Sequence, residues 1–149
     1  MDCASEMLDA APPMMWHIRR AMREQRRGLS MPQFRAMVMI SNEPSSVSLS
    51  CVADHLALSL PTTSRIVSGL VEKGLLKRQG SATDRRQMSL EITGKGKEVL
   101  DKAWAAAQQS MAAELKRFTP QEWTALASSM RMLKQMFGSL GRDKVSTEA

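Results

Sequence analysis

Residues 48–76, SLSCVADHLALSLPTTSRIVSGLVEKGLL, constrain this chain more than any other stretch, because they hold two helical patterns with almost no room between them. The first, 48–58, places Leu49, Val52, Ala53 and Leu56 on one face. Ser59 then supplies an N-cap oxygen, Pro61 falls in a first turn where its missing N–H costs nothing, and Gly74 provides a left-handed stop. Two short helices joined by so tight a turn make a helix-turn-helix.

The flanks extend this to a mainly helical chain. Pro12 and Pro13 predict the opening of a first helix, with Met14, Ile18 and Met22 at four-residue spacing and an end near Gly28. Ser30-Met31-Pro32-Gln33 has the form of a capping box, so a second helix through Phe34, Met37 and Ile40 follows, until SNEPSS breaks it. After the helix-turn-helix, LLKRQ and QMSLEI alternate in the manner of strands, with Met88, Leu90 and Ile92 facing one way, and GSATDRR joins them into a two-stranded ribbon, or wing.

Thr93 begins a long helical pattern to about Phe118, carrying Val99, Leu100, Ala103, Ala107, Met111 and Leu115. At about 1.5 Å per residue it spans roughly 35 to 40 Å, more than one small winged domain can cover, so part of it must pack elsewhere. Thr119-Pro120-Gln121-Glu122 is a second capping box and opens a last helix, whose Trp123, Leu126, Met130, Leu133 and Phe137 step by three and four like a seam. The tail GRDKVSTEA, 141–149, is expected to be disordered.

Composition narrows the function. A net charge of +6 and a pI near 9.8 prompt a search for a polyanion partner, although basic charge alone is also what many solvated surfaces carry. No run approaches the roughly 18 apolar residues of a membrane span, and the N-terminus lacks the pattern of a signal peptide, so the chain reads as cytoplasmic. Cys3 and Cys51 make no disulfide framework, and no Cys or His pair has zinc-ligand spacing, so neither metal nor cofactor is expected. No glycine-rich phosphate loop, nucleophile elbow or carboxylate pair points to an enzyme; GKGKE could open a weak anion site at a helix start, the nearest thing to one. His17 and His55 each stand apart from a second histidine and receive no catalytic role.

In the fourth helix Ile66, Val67, Leu70 and Val71 form the expected buried stripe, which leaves Thr62, Thr63, Arg65 and Ser68 outward, with Pro61 and Ser64 beside them. A small polar face of this kind suits a DNA major groove, where Arg65 could reach guanine O6 and N7 together; an ordinary solvated helix face is the plainer alternative.

The order of three helices, a recognition helix, a wing and two long helices, with LSMPQF, LALSLPTTSRIVSGLVEKGLLKR and DRRQMSLEITGKG in register, resembles the MarR family of winged-helix transcription regulators. The resemblance covers roughly residues 14–138. It implies a winged helix-turn-helix DNA-binding domain with a small two- to three-stranded β wing, plus a helical dimerisation domain. The corresponding segments are 1–28 (N-terminal segment and first dimerisation helix), 29–93 (winged helix-turn-helix) and 94–140 (long C-terminal helices). It also implies a homodimer that sets two recognition helices on pseudo-palindromic double-stranded DNA, as a repressor relieved by a small, aromatic ligand. In wings of this family the acid and second arginine brace the loop while the tip arginine enters the minor groove: here Asp84 and Arg86 brace and Arg85 inserts, or the arginines exchange roles. The plainer reading leaves both arginines as solvated loop charges.

The ligand site of such proteins lies between dimerisation helices and winged domain, which nominates Trp16, His17, Met37 and Met111 as lining, although methionines at helical spacing are more often plain core. Five arginines and Glu24 in RRAMREQRRG suit a helix C-terminus, with phosphate contacts by Arg26 or Arg27 as the minor alternative. Redox sensing is disfavoured, because Cys3 lies in a loose N-terminus and Cys51 is expected in buried packing. An activating or redox-sensing member of the same family, or a winged-helix module that binds protein, are the remaining alternatives.

Overall fold

The computed structural model describes residues 2–26, 28–43, 46–80 and 88–137. Its elements are α1 (Cys3–Met22), α2 (Met31–Asn42), β1 (Val47–Ser48), α3 (Leu49–Leu56), α4 (Leu60–Glu72), β2 (Leu76–Gln79), β3 (Ser89–Ile92), α5 (Gly94–Leu115) and α6 (Pro120–Phe137). They divide into two compact units, one of Met1–Arg27 with Asp101–Phe137, the other containing Gly28–Leu100. Among the described residues no helix is long and apolar enough to cross a membrane.

The unit Gly28–Leu100 is a winged helix. Its α2 opens on the Ser30 capping box, in which the Gln33 amide donates to Ser30 Oγ (3.3 Å) and the Ser30 amide donates to Gln33 Oε1 (3.0 Å). Phe34, Ala36, Met37 and Ile40 are buried, as are Val52, Ala53 and Leu56 of α3 and Val67 and Leu70 of α4, where the three helices pack on one another. Ser48 caps α3 through the Cys51 amide, and the helix ends on Ala57 in the left-handed conformation (φ 55°), whose amide reaches back to Ala53 and Asp54. Ser59 then caps α4, and Gly74 (φ 71°) turns the chain into β2, a conformation that costs glycine little.

The sheet is antiparallel in the order β1-β3-β2, with Leu76 opposite Ile92, Arg78 opposite Leu90, and Val47 opposite Leu90 on the other side. Of the three residues expected to face one way, Leu90 is buried, Ile92 is half-buried and Met88 is exposed. Thr93 joins wing to helix: its hydroxyl donates to Gly74 O (2.6 Å) and accepts from the Gly96 amide (3.1 Å), while its own amide donates to Leu75 O. Gly96 is required here by space rather than by dihedral angle, because a Cβ would come within 2.3 Å of Leu75 O and 2.7 Å of Ile92 Cγ1.

In the other unit, α1 corrects the start expected at Pro12. Asp2 accepts from the Ala4 amide (3.1 Å) and Glu6 lies in the first turn, so the helix begins at Cys3 and carries Pro12 and Pro13 inside it. Cys3 therefore lies in the first helical turn, not in a loose segment. The end of α5 falls at Leu115, short of Phe118, and α6 opens on the second capping box: the Thr119 amide donates to Glu122 Oε2 (2.7 Å) and the Glu122 amide to Thr119 Oγ1 (3.4 Å). No residue of α6 is buried, and Trp123, Leu126, Met130, Met136 and Phe137 are exposed. The expected disordered tail lies outside the described residues.

Gly96→Ala should lower stability by about 1 to 3 kcal/mol, the usual cost of overpacking, despite alanine's better helix propensity. A urea titration would show the midpoint moving down with its slope unchanged. Glu122 titrates below its ordinary range because the Thr119 amide, and then the Thr119 hydroxyl, hydrogen-bond its charged form. Its folded-state pKa lies under the unfolded one, so its contribution is present above the unfolded value and is lost as pH falls through the folded one. Thermal melts of wild type and Glu122→Gln should therefore differ near neutral pH and converge in strong acid.

Candidate nucleic-acid interface

The interface candidate is the outer face of α4 with the strand beside it. Ser59 fixes the first turn: its Oγ accepts from the Thr62 amide (3.4 Å) and donates to Thr62 Oγ1 (2.9 Å). Pro61, Thr62 and Arg65 are exposed, and Ser64 and Ser68 are half-buried. Arg65 forms no ion pair with another described residue, so its guanidinium is available to a partner.

Thr63 is a correction. Expected on the outer face, it is fully buried, and its hydroxyl donates to Ser59 O one turn back (2.9 Å). Thr63, Val67 and Leu70 form the inward stripe, while Ile66 and Val71 are only half-buried at its margins. A threonine can take such a core position because the carbonyl four residues earlier satisfies its one polar group. Thr63 therefore shapes the helix's seat and offers nothing to a groove.

Arg78 is a residue that the sequence reading passed over. It lies on β2, and its Nη2 donates to Ser68 Oγ (2.8 Å), tying the strand to the exposed side of α4. The neighbouring Lys77 is paired with Glu91 (3.0 Å). The signal was present in the alternation of LLKRQ, which sets Arg78 on the same strand face as Leu76. Asp84, Arg85 and Arg86 of the expected wing tip lie outside the described residues.

The nominated ligand-lining residues divide between the units. In the first, Trp16 is exposed with the Arg20 guanidinium 5.4 Å from its ring centroid, which is cation–π range. Beside it, His17 Nε2 is 3.0 Å from Ser110 Oγ and 3.9 Å from Glu114 Oε1, and Met111 is half-buried. Met37, in the other unit, is fully buried and presents no surface. Both cysteines are free and exposed, which corrects the buried packing expected for Cys51: that residue sits just beside the inward stripe of Val52, Ala53 and Leu56.

Residues 27–87, which include α2 through β2, match the model of the MarR family. The likeness to the MarR family covers that segment, less than half of the chain. The chain is 23% identical over 107 residues to the HTH-type transcriptional regulator YfiV of Bacillus subtilis, a match spanning 72% of this chain and 66% of that protein, so about a third of the relative lies beyond it. It is 26% identical over 116 residues to the HTH-type transcriptional repressor Rv2887 of Mycobacterium tuberculosis, covering 78% of each chain. Among solved structures it is similar to Rv1404 of M. tuberculosis, with a TM-score of 0.77 at 22% identity over 91% of this chain and 92% of that one. It is also similar to a mutant of Staphylococcus aureus MepR bound to an oligodeoxyribonucleotide (TM-score 0.65, 14% identity, 91% and 99% covered). MepR has been solved bound to ethidium bromide as well (TM-score 0.60, 14%, 91% and 97%). At these identities the structural likeness shows the fold, a winged helix, and the named sequence relatives are regulators rather than enzymes. The chain's sequence relatives are transcriptional regulators named for a helix-turn-helix, the motif that α3 and α4 form here.

Proposed function

We propose that the protein is a homodimeric repressor that reads a pseudo-palindromic operator with α4 and releases it on binding a small aromatic ligand. The observation that carries the DNA half is the outer face of α4, where Thr62, Ser64, Arg65 and Ser68 stand beside an exposed guanidinium from β2. Apart from Leu60 and Pro61 at its start, that face has no apolar anchor of the kind a protein-binding surface needs. In this reading the N-terminal turns of α4 enter the major groove, with Arg65 forked onto guanine O6 and N7. The wing adds Arg85 in the minor groove, braced by Asp84 and Arg86, on the strength of the family's DRR pattern.

Support for the dimer is the state of α6. A helix that exposes Trp123, Leu126, Met130 and Phe137 at steps of three, four and seven carries a contiguous apolar seam that a lone chain leaves in water. A second copy is the occupant this reading assigns to it. Repression follows the name of the M. tuberculosis relative, and ligand release follows the ethidium complex of MepR. Trp16, His17 and Met111 are the lining residues that remain once Met37 is set aside.

Arg65→Ala should cost on the order of 1 to 3 kcal/mol in binding and relax base preference at one position of each half-site. Competitive anisotropy titrations against a panel of singly substituted operator duplexes would show it as a flattened preference at that position. Equal loss on every duplex would contradict the base-reading role.

A further inference from the structure

We infer that Arg78 is a contact to the DNA phosphate backbone, and that its bond to Ser68 makes the two side chains a single phosphate-binding pair rather than a base-reading one. This rests on the DNA-binding reading above and adds a residue and a role to it.

The strand geometry places the charge. On β2 the even positions share a face: Leu76 is buried in the core, and Arg78, one step further along the same face, emerges where the strand passes α4. There its Nη2 lies 2.8 Å from Ser68 Oγ, and the side chain remains exposed. Lys77 points to the other face and is held by Glu91, so it is neutralised locally. Arg78 forms no ion pair with a described carboxylate, and among the described residues only one of its five N–H donors is engaged.

The hydrogen bond also fixes what Ser68 can offer. Its oxygen accepts from Arg78, and no described residue accepts the hydroxyl proton, so that proton is left to donate outward. The pair thus presents mainly donors and positive charge, with one lone pair of Ser68 Oγ already taken by Arg78, which matches the non-bridging oxygens of a phosphate. Base recognition by arginine needs a planar fork of two free N–H groups aimed at a base edge; the tie to Ser68 takes up one of the two edges of the Arg78 guanidinium and fixes the direction of the other, whereas a phosphate asks only for charge and single donors. Position agrees: base edges are met by the N-terminal residues of a recognition helix, and Ser68 lies beyond Arg65, toward the flank where backbone crosses. Phosphate contacts of this kind set register and affinity without carrying sequence information.

The test uses the full-length protein and two fluorescent duplexes, one selected by the wild type from a randomised pool and one of fixed mixed sequence, titrated across a salt series. Arg78→Ala should weaken both duplexes by a similar factor and make the slope of log affinity on log salt shallower by about 0.9 per subunit engaged. Arg78→Lys keeps the charge and should keep the slope, and it remains informative if the alanine variant folds poorly. Ser68→Ala should weaken both duplexes while leaving the slope unchanged. A wild-type slope in Arg78→Ala, or a loss confined to the selected duplex, would overturn the inference while leaving the DNA-binding reading intact; unchanged binding by Ser68→Ala would overturn the pairing. Failure of the wild type to bind either duplex would overturn the reading on which it stands.

Discussion

The proposed DNA-facing surface depends on how α4 is seated. One stripe of it, Thr63, Val67 and Leu70, is fully buried, and the helix packs on α2, α3 and β2 through that side. The Ser59 carbonyl satisfies the only polar group in the stripe. Because a helix repeats every 3.6 residues, burying those positions leaves Thr62 and Arg65 outward with no further choice to make. The Ser59 cap fixes where the helix begins, and the left-handed Ala57 and Gly74 fix the chain's direction on either side. The base-reading role proposed for α4 asks for a helix rigid relative to its domain, and these local constraints supply that rigidity.

The same junction explains how strand and helix share a surface. Gly74 ends α4, and the carbonyls of Gly74 and Leu75 are bonded to Thr93, which in turn starts α5. This knot of bonds, with the close approach at Gly96, holds β2 against the C-terminal part of α4. That is why Arg78 can meet Ser68, and why two side chains ten residues apart in sequence act at one place. Charge around them is selective: Lys77 is tied to Glu91, while Arg65 and Arg78 are not tied to any described carboxylate. A net charge of +6 says little about where positive charge is available; these pairings say more.

Local signals were legible in the sequence because their physics is local. The capping boxes at Ser30 and Thr119, the Ser59 cap and the Gly74 stop each involve residues within a few positions of one another, and each is present. The winged-helix order was legible for the same reason, since its turns are short. What escaped depended on tertiary context or on competing signals. Thr63 reads as polar, yet a threonine whose hydroxyl bonds one turn back behaves as a small apolar residue. Pro12-Pro13 outweighed Asp2 as a start signal, although Asp2 is the residue that caps. Cys51 sits at the edge of an apolar stripe, where one residue's rotation decides burial. Strand β1, two residues long, is too short to leave a periodic trace and is defined only by its pairing with Leu90 and Ser89.

The most direct measurement is a binding selection with the purified wild-type protein on a fully randomised duplex pool, followed by sequencing of what is retained. The account predicts enrichment of one pseudo-palindromic sequence, with half-sites about one helical turn apart, as two α4 helices in successive major grooves require. Retention of DNA without any enriched sequence, or enrichment of a single unpaired half-site, would contradict it.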